Sequence, residues 1–476
     1  MWKLIDRILS DFRNMFSRQA SFEWFVVIVM GLMVRTDSLG ITSIIRELSL
    51  NYESYTTMNH FFRSNSWQVE KLITCWTNII KDVAPICKVD EYSIIIGDGV
   101  KQGKESKKMP GVKRLHQESE NVSKAEYIFG HMFGGIGILA GNAKKKFCIP
   151  VSIRIHDGVS TIRKWVDSGA EKTSHVVQTI IDGYEVAKNI GSSILVLDRY
   201  FLSVNSLTKL DELNKDSDCK MELVVKAKSS CVAYEDAPKY SGKGRKPKKG
   251  NSIKVLEMFK TKKNCFQKAT LNIYGKHKEV SYYCINLLWG AKLYKKLRFV
   301  LVDYDGIKSI LVSTKLDLDP IKIIELYSWR FKIECTFREL KQVISGFNYH
   351  FWSKAMPKLN RYKKKNEPEA IDSVTEQNKK QLIVSTLKAI EGYVMFSSIA
   401  IGMLQIISLL YSEKLNKSFF RYLRTPSNDF VSEATVATYI RKSIFSIIAF
   451  NGHFSIIKII KKKQINPSFH EEKEAS

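Results

Sequence analysis

A chain of 476 residues that is 44% hydrophobic and 26% charged carries enough apolar material for a real core, which excludes disorder as its default state. Its 75 Lys and Arg against 48 Asp and Glu leave a net charge of +27, the footprint of a polyanion binder, with nucleic acid first and anionic membrane second. Its eight cysteines are scattered, with no C-x-x-C pair and no Cys/His cluster of zinc spacing. That excludes a disulfide framework, and the thiols read as reduced, in a cytoplasmic, nucleoid-associated protein.

Residues 1–88 read as a helical domain, with apolar periodicity over 25–34, 41–50 and 67–80. The stretch 56–66 (TTMNHFFRSNS) adds His60, Arg63 and aromatics. A DNA-end-binding role is expected here, although plain packing suits the same residues. Residues 1–18 are amphipathic and 25–34 too short to span a bilayer, so neither reads as a cleavable signal peptide.

A different rhythm follows. Residues 92–97 (YSIIIG) form an apolar run ending at Asp98, and 127–140 and 148–155 read as two more strands. A helix is expected over 174–190, with Val177, Ile180, Ile181 and Tyr184 on one face, then a buried strand at 194–197 ending at Asp198. Strand, strand, strand, helix, strand is the opening of a ribonuclease H-like α/β fold, so 89–207 is taken as the first part of a catalytic core.

Residues 208–319 read as a β-rich insertion, with strands at 221–227, 252–259, 268–274, 279–288, 298–303 and 309–314. Within it, 239–251 (KYSGKGRKPKKGN) holds six basic residues, including Arg245 and Lys246. It is either a phosphate-contacting arm or a solvated surface loop. Residues 320–415 are taken as the second part of the core, opening with a long helix over 320–345. Next come a basic run at 361–366 (RYKKKN) and an apolar stretch at 392–411. That stretch is long enough to cross a membrane, but Ser397, Ser398, Gln405 and Ser408, with Glu391 at its edge, favour a buried helix. A basic region, 416–476, is left for oligomerisation.

Asp98 and Asp198 each follow a buried strand, and carboxylates at the ends of neighbouring strands can converge. Paired carboxylates bind hard divalent cations, Mg²⁺ with Mn²⁺ able to substitute, and such ions serve phosphoryl transfer. A third acid stands on the 320–345 helix. At 100° per residue Tyr327, Arg330, Glu334 and Lys341 fall within roughly 60° of arc, with Arg338 beside them. Leu326, Ile333, Phe337, Leu340 and Ile344 form the adjoining apolar stripe. Asp98, Asp198 and Glu334 are therefore the expected catalytic and metal-holding residues. Tyr327, Arg330, Arg338 and Lys341 are expected to face DNA, as are Lys101 and Lys104 after Asp98, and Arg245 and Lys246 in the basic loop. Trp329 lies about 200° from Tyr327, facing away, and is left out. For His131 a structural role is favoured over contact with DNA.

The pattern Tyr-x2-Arg-x3-Glu-x6-Lys, complete as Tyr327, Arg330, Glu334 and Lys341, resembles the motif of a large group of insertion-sequence transposases of the Asp-Asp-Glu (DDE) class. The segments around Asp98 (IIIGDGVKQG) and Asp198 (ILVLDRYF) are similar to that group's two Asp motifs, and so is the Gly-His of FGHM at 129–132. The resemblance covers about residues 93–352. It implies a ribonuclease H-like core, often with a β-rich insertion before the Glu helix. It also implies cut-and-paste transposition on double-stranded DNA, both terminal inverted repeats and target, with a homodimer in the DNA complex and no membrane. A nuclease of the same fold that only cuts, and a non-catalytic DNA-binding descendant, are the alternatives.

Overall fold

The computed structural model describes residues 1–117, 125–169, 172–215, 217–239, 244–273, 276–360, 367, 369–415 and 429–465. Lys243, the basic run at 361–366 and parts of the 416–476 region therefore lie outside the described residues.

Ile94, Ile95 and Ile96 are fully buried, as are Ile194, Leu195 and Val196. Unbroken apolar runs of this kind belong to strands covered on both faces. In chain order the core strands are β1 (Tyr92–Gly103), β2 (Tyr127–Gly141), β3 (Lys146–Ile155), β4 (Ser193–Leu197) and β5 (Met221–Lys226). β2 runs antiparallel to β1 and β3 antiparallel to β2, while β4 is parallel to β1 and β5 to β4. The spatial order β3-β2-β1-β4-β5 is compatible with a ribonuclease H-like core. β5, expected within the insertion, belongs to the parallel sheet through its pairing, Ser193 opposite Met221.

The strands beyond β5 do not form a body of their own. They are β6 (Val232–Tyr234), β7 (Ser252–Lys254), β8 (Gln267–Ile273), β9 (Lys276–Trp289), β10 (Lys295–Tyr304) and β11 (Ile307–Ser313). β11 pairs antiparallel with β5, and β10, β9, β6 and β7 carry the same sheet onward to 13 strands. Asp305 and Gly306, both at positive φ, close the β10–β11 hairpin as a two-residue turn, the geometry an Asp-Gly pair favours. The strand expected over 252–259 stops at Lys254; Val255, Met258 and Phe259 are instead buried in short helical turns.

Among the helices, α1 (Gln19–Val34) is apolar all round, the mark of a core helix, and α2 (Val69–Val83) buries Leu72, Trp76 and Ile80. α3 (His175–Ile190) crosses from β3 to β4, its first turn capped by Ser174 Oγ accepting the Val177 N–H. The single helix expected over 320–345 is two: α4 (Pro320–Ser328), capped by Asp319 with Pro at its first position, and α5 (Lys332–Gln342). Between them the backbone bonds tighten to i→i−3, with Trp329 N–H donating to Leu326, Arg330 to Tyr327 and Lys332 to Trp329.

α6 (Gln377–Tyr411) is buried almost continuously from Ile383 to Ser408. By length and composition it passes as a membrane span, but 89% of its apolar window is inside the protein. It packs against β3 and the N-terminal helices. Lys388 Nζ donates to the Ser64 and Trp67 carbonyls at 2.6 Å each, and Trp76 Nε1 donates to Pro150 O at 2.9 Å. Arg35, just past α1, donates to the carbonyls of Ile344 and Ser345. The first 88 residues, expected as a separate module, are thus one layer of a continuous core. α7 (Glu433–Phe450) closes against α1, with Arg441 donating to Arg35 O.

Candidate active site

β1 runs on past its apolar half, so Asp98 lies within the strand rather than at its end, opposite Gly135 on β2. Gly134 and Gly135 point to opposite faces of the sheet. A Cβ on Gly135 would stand 2.7 Å from Phe337 Cζ, so the missing side chain lets α5 settle directly onto the strand beside Asp98. Phe337 is one turn along from Glu334. Thr336 fixes α5 further, donating to Cys148 O of β3 at 2.6 Å. Asp198 follows β4 immediately, one strand over from Asp98.

Arg330, in the tightened turn between α4 and α5, joins these segments. Its Nη1 donates to Asp98 Oδ2 at 2.9 Å, and its Nη2 donates to Glu334 Oε1. Tyr327 O–H donates to Asp198 Oδ1 at 3.2 Å. The Arg330 side chain is 14% exposed, Asp98 21% and Glu334 52%. Burial opposes the charge on Arg330, but Asp98, Glu334 and Asp198 outweigh it and raise its pKa. Burial pushes the Asp98 carboxyl above the ordinary carboxylate range, against the pull of Arg330 and of the Gly99 N–H.

The sequence reading had Arg330 facing DNA. In this structure its guanidinium is the partner of two of the three acids. As oxygen donors the three carboxylates suit a hard cation. Yet among the described residues no three His, Cys, Asp or Glu side chains stand close enough to hold one ion. The guanidinium supplies the positive charge between the acids.

Lys341 and Lys101 line the same cleft as Asp98, Asp198 and His175. Lys101 Nζ also donates to His116 O at 2.7 Å. Four other expected contacts are not gathered there. Lys104 Nζ donates to the carbonyls of Phe347 (2.6 Å) and Tyr349 (3.0 Å) and lies 3.8 Å over the Tyr349 ring, so it braces a loop instead of meeting phosphate. Arg338 is exposed and paired with its neighbour Glu339. Arg245 and Lys246 are exposed in the link between β6 and β7, and β7 is seven strands along the sheet from β1, roughly 34 Å at ordinary strand spacing. His131 is structural: Nε2 donates to Pro110 O and Nδ1 accepts the Tyr349 O–H at 2.6 Å. Trp329 turns away from the acids, toward Lys146.

Residues 11–274, more than half of the chain, match the family model described as DDE superfamily endonuclease. The chain belongs to this family. The matched span of this DDE superfamily endonuclease holds Asp98 and Asp198 and ends ahead of Glu334. Membership makes it a nuclease or transposase-type enzyme with DNA as its substrate class. No curated protein matches the chain.

The sequence reading of this endonuclease missed His175, which lines the cleft, and His156 and Asp182 behind it. His175 and Asp182 are seven residues apart on α3 and share a helix face, a signal that was open to the same angular argument used for Glu334.

Proposed function

We propose that this DDE superfamily endonuclease is an insertion-sequence transposase with the Tyr-Arg-Glu-Lys motif, cutting DNA at transposon ends and joining the freed 3′-hydroxyl to target DNA. One observation carries the reading: Asp98, Asp198 and Glu334, from three distant segments, are gathered through Arg330 and Tyr327 of a single motif. We assign Asp98, Asp198 and Glu334 as the residues that would hold Mg²⁺ or Mn²⁺, which requires them to close in from the positions they take around Arg330. Such an ion, when bound, supplies positive charge to the scissile phosphate. Lys341 and Lys101, on the walls of the cleft, are assigned to the flanking phosphates. A homodimer on DNA agrees with the outward-facing Phe445 and Phe450 of α7.

The test is an oligonucleotide carrying the element's terminal repeat, incubated with protein and Mg²⁺ and then with a target duplex. Cleavage and joining, both abolished in D98A, D198A and E334A with end binding retained, are expected. Cleavage without joining would identify a nuclease of the same fold. Binding with neither would identify a non-catalytic descendant.

A further inference from the structure

We propose that His175 is a proton acceptor at this cleft, its bare ring nitrogen fixed there by a buried His156–Asp182 pair. The proposal rests on the reading of the cleft as the catalytic centre. His175 begins α3 and lines the cleft with Asp98 and Asp198. Its Nδ1 lies 2.8 Å from Nδ1 of His156, and His156 Nε2 lies 2.8 Å from Oδ2 of Asp182. The other oxygen of Asp182 accepts from Gln178 Nε2 at 2.8 Å. His156 and Asp182 are buried.

The proton positions follow from what each atom can do. Burial opposes the charge of Asp182, but His156, Arg154 and Gln178 outweigh it and hold the carboxyl below its usual range. It is then an acceptor only, so His156 carries its hydrogen on Nε2. A neutral imidazole carries one hydrogen. His156 Nδ1 is therefore bare and accepts the N–H of His175 Nδ1. That places the His175 hydrogen on the inner nitrogen and leaves Nε2 with a lone pair.

Nε2 has no hydrogen-bond partner among the described residues. It sits 2.8 Å from where a Cβ on Gly99 would stand, beside Asp98. Two glycines make this arrangement possible. Any side chain at Gly99 would meet the His175 ring, and a Cβ on Gly134 would stand 1.8 Å from His156 Cε1. The chain Asp–His–His has the logic of a carboxylate that fixes a tautomer so that the far nitrogen can take a proton.

In the step this allows, a water or 3′-hydroxyl in the cleft gives its proton to His175 Nε2 as its oxygen forms the new bond to phosphorus. The breaking P–O bond leaves its electron pair on the departing oxygen, which takes a proton from solvent. Burial lowers the His175 imidazolium from the ordinary 6.5 to about 4, against the pull of Asp157 and Asp182, so the ring passes its proton on to solvent as soon as it has taken it.

The test combines nitrogen chemical shifts with kinetics. In ¹⁵N-histidine-labelled wild-type protein, with the signal assigned by its loss in H175Q, His175 Nε2 should resonate as unprotonated near neutral pH. A protonated Nε2 overturns the proposal without any activity measurement. In D182N the amide would donate to His156 Nε2, reverse both rings and protonate His175 Nε2; an unmoved signal also overturns it. Cleavage of end DNA by H175A should fall by about a hundredfold with DNA affinity retained, and added imidazole should restore part of it. A wild-type rate, or a loss in folded protein that imidazole does not relieve, counts against it. D98N serves as the control for the cleft: if it still cuts, the catalytic centre lies elsewhere, whatever the nitrogen signals show.

Discussion

Arg330 and Asp98, 232 residues apart in the chain, meet at 2.9 Å, and the same guanidinium also holds Glu334. A cation that binds these acids must therefore compete with a fixed positive charge. Replacing Arg330 by Ala removes the competitor, so Mn²⁺ affinity should rise by tenfold or more, about 1.4–4 kcal/mol at the effective dielectric of a partly buried site. Cleavage should fall in the same variant, because the acids lose the group that gathers them. R330K should bind Mn²⁺ as weakly as wild type and cut poorly, since an ammonium cannot reach two carboxylates as a planar fork does. Titration of Mn²⁺ by electron paramagnetic resonance, set beside strand cleavage, measures both. If R330A binds Mn²⁺ less well than wild type, the guanidinium orders the ligands and does not compete with the ion.

Lys104 is a structural cation. Burial lowers its ammonium from the ordinary 10.5 to about 8. Between those values the unfolded chain holds more protons than the folded one, so this residue's contribution makes stability rise with pH from about 8 to 10.5. K104M should lose that slope. It should also be less stable by about 1–3 kcal/mol, because the Phe347 and Tyr349 carbonyls lose their donor. The quantity to measure is the difference between wild type and K104M in denaturant titrations across this range. The subtraction matters because surface lysines such as Lys144 and Lys268, paired with Asp429 and Glu279, have raised pKa values and contribute the opposite slope. A flat difference would mean that the Lys104 ammonium is as well solvated as it is in the unfolded chain.

Several features were legible in the sequence because they are local. The unalternating runs before Asp98 and Asp198 mark strands buried on both faces, and the helical phase of Tyr327, Arg330, Glu334 and Lys341 marks one functional edge. The features that escaped depend on distant partners. Lys104 follows the Asp98 strand but bonds carbonyls 243 and 245 residues away. The N-terminal helices looked like a separate domain because α6, which they pack against, lies about 300 residues later. The break between α4 and α5 carries no Gly or Pro in Tyr-Ser-Trp-Arg-Phe-Lys, so nothing local announced it. The insertion strands were visible from composition, but no local pattern says that β11 continues the core sheet by pairing with β5.

Gly135 is the contact through which α5 approaches β2. A methyl group there would meet Phe337 at 2.7 Å, with the far end of a ring as its neighbour. G135A should cost about 1–3 kcal/mol by overpacking and shift α5 outward, carrying Glu334 with it. Cleavage should fall more steeply than stability at a temperature where the variant is fully folded. Pairing G135A with F337L, which frees the space, should recover cleavage. Failure of the second change to recover it would place the effect of Gly135 in the strand instead of the helix.

The net charge and the basic link between β6 and β7 make a further prediction about DNA. Each neutralised phosphate adds about −0.9 to the log–log dependence of affinity on salt, so a protein with a +27 charge should show a steep slope on duplex DNA. The link holding Arg245 and Lys246 is far along the sheet from Asp98, so its contacts would fall on DNA well away from the scissile bond. Replacing Arg245, Lys246, Lys248 and Lys249 by Ser should shallow the slope and weaken specific and non-specific duplexes alike, leaving the cleavage rate at saturating protein unchanged. The readout is affinity for terminal-repeat and scrambled DNA between low and physiological salt. Lys249 also covers the Tyr234 ring at 3.8 Å, so its single variant controls for lost packing. If the fourfold variant loses preference for the terminal repeat, the link reads bases, and the phosphate role assigned to it is wrong.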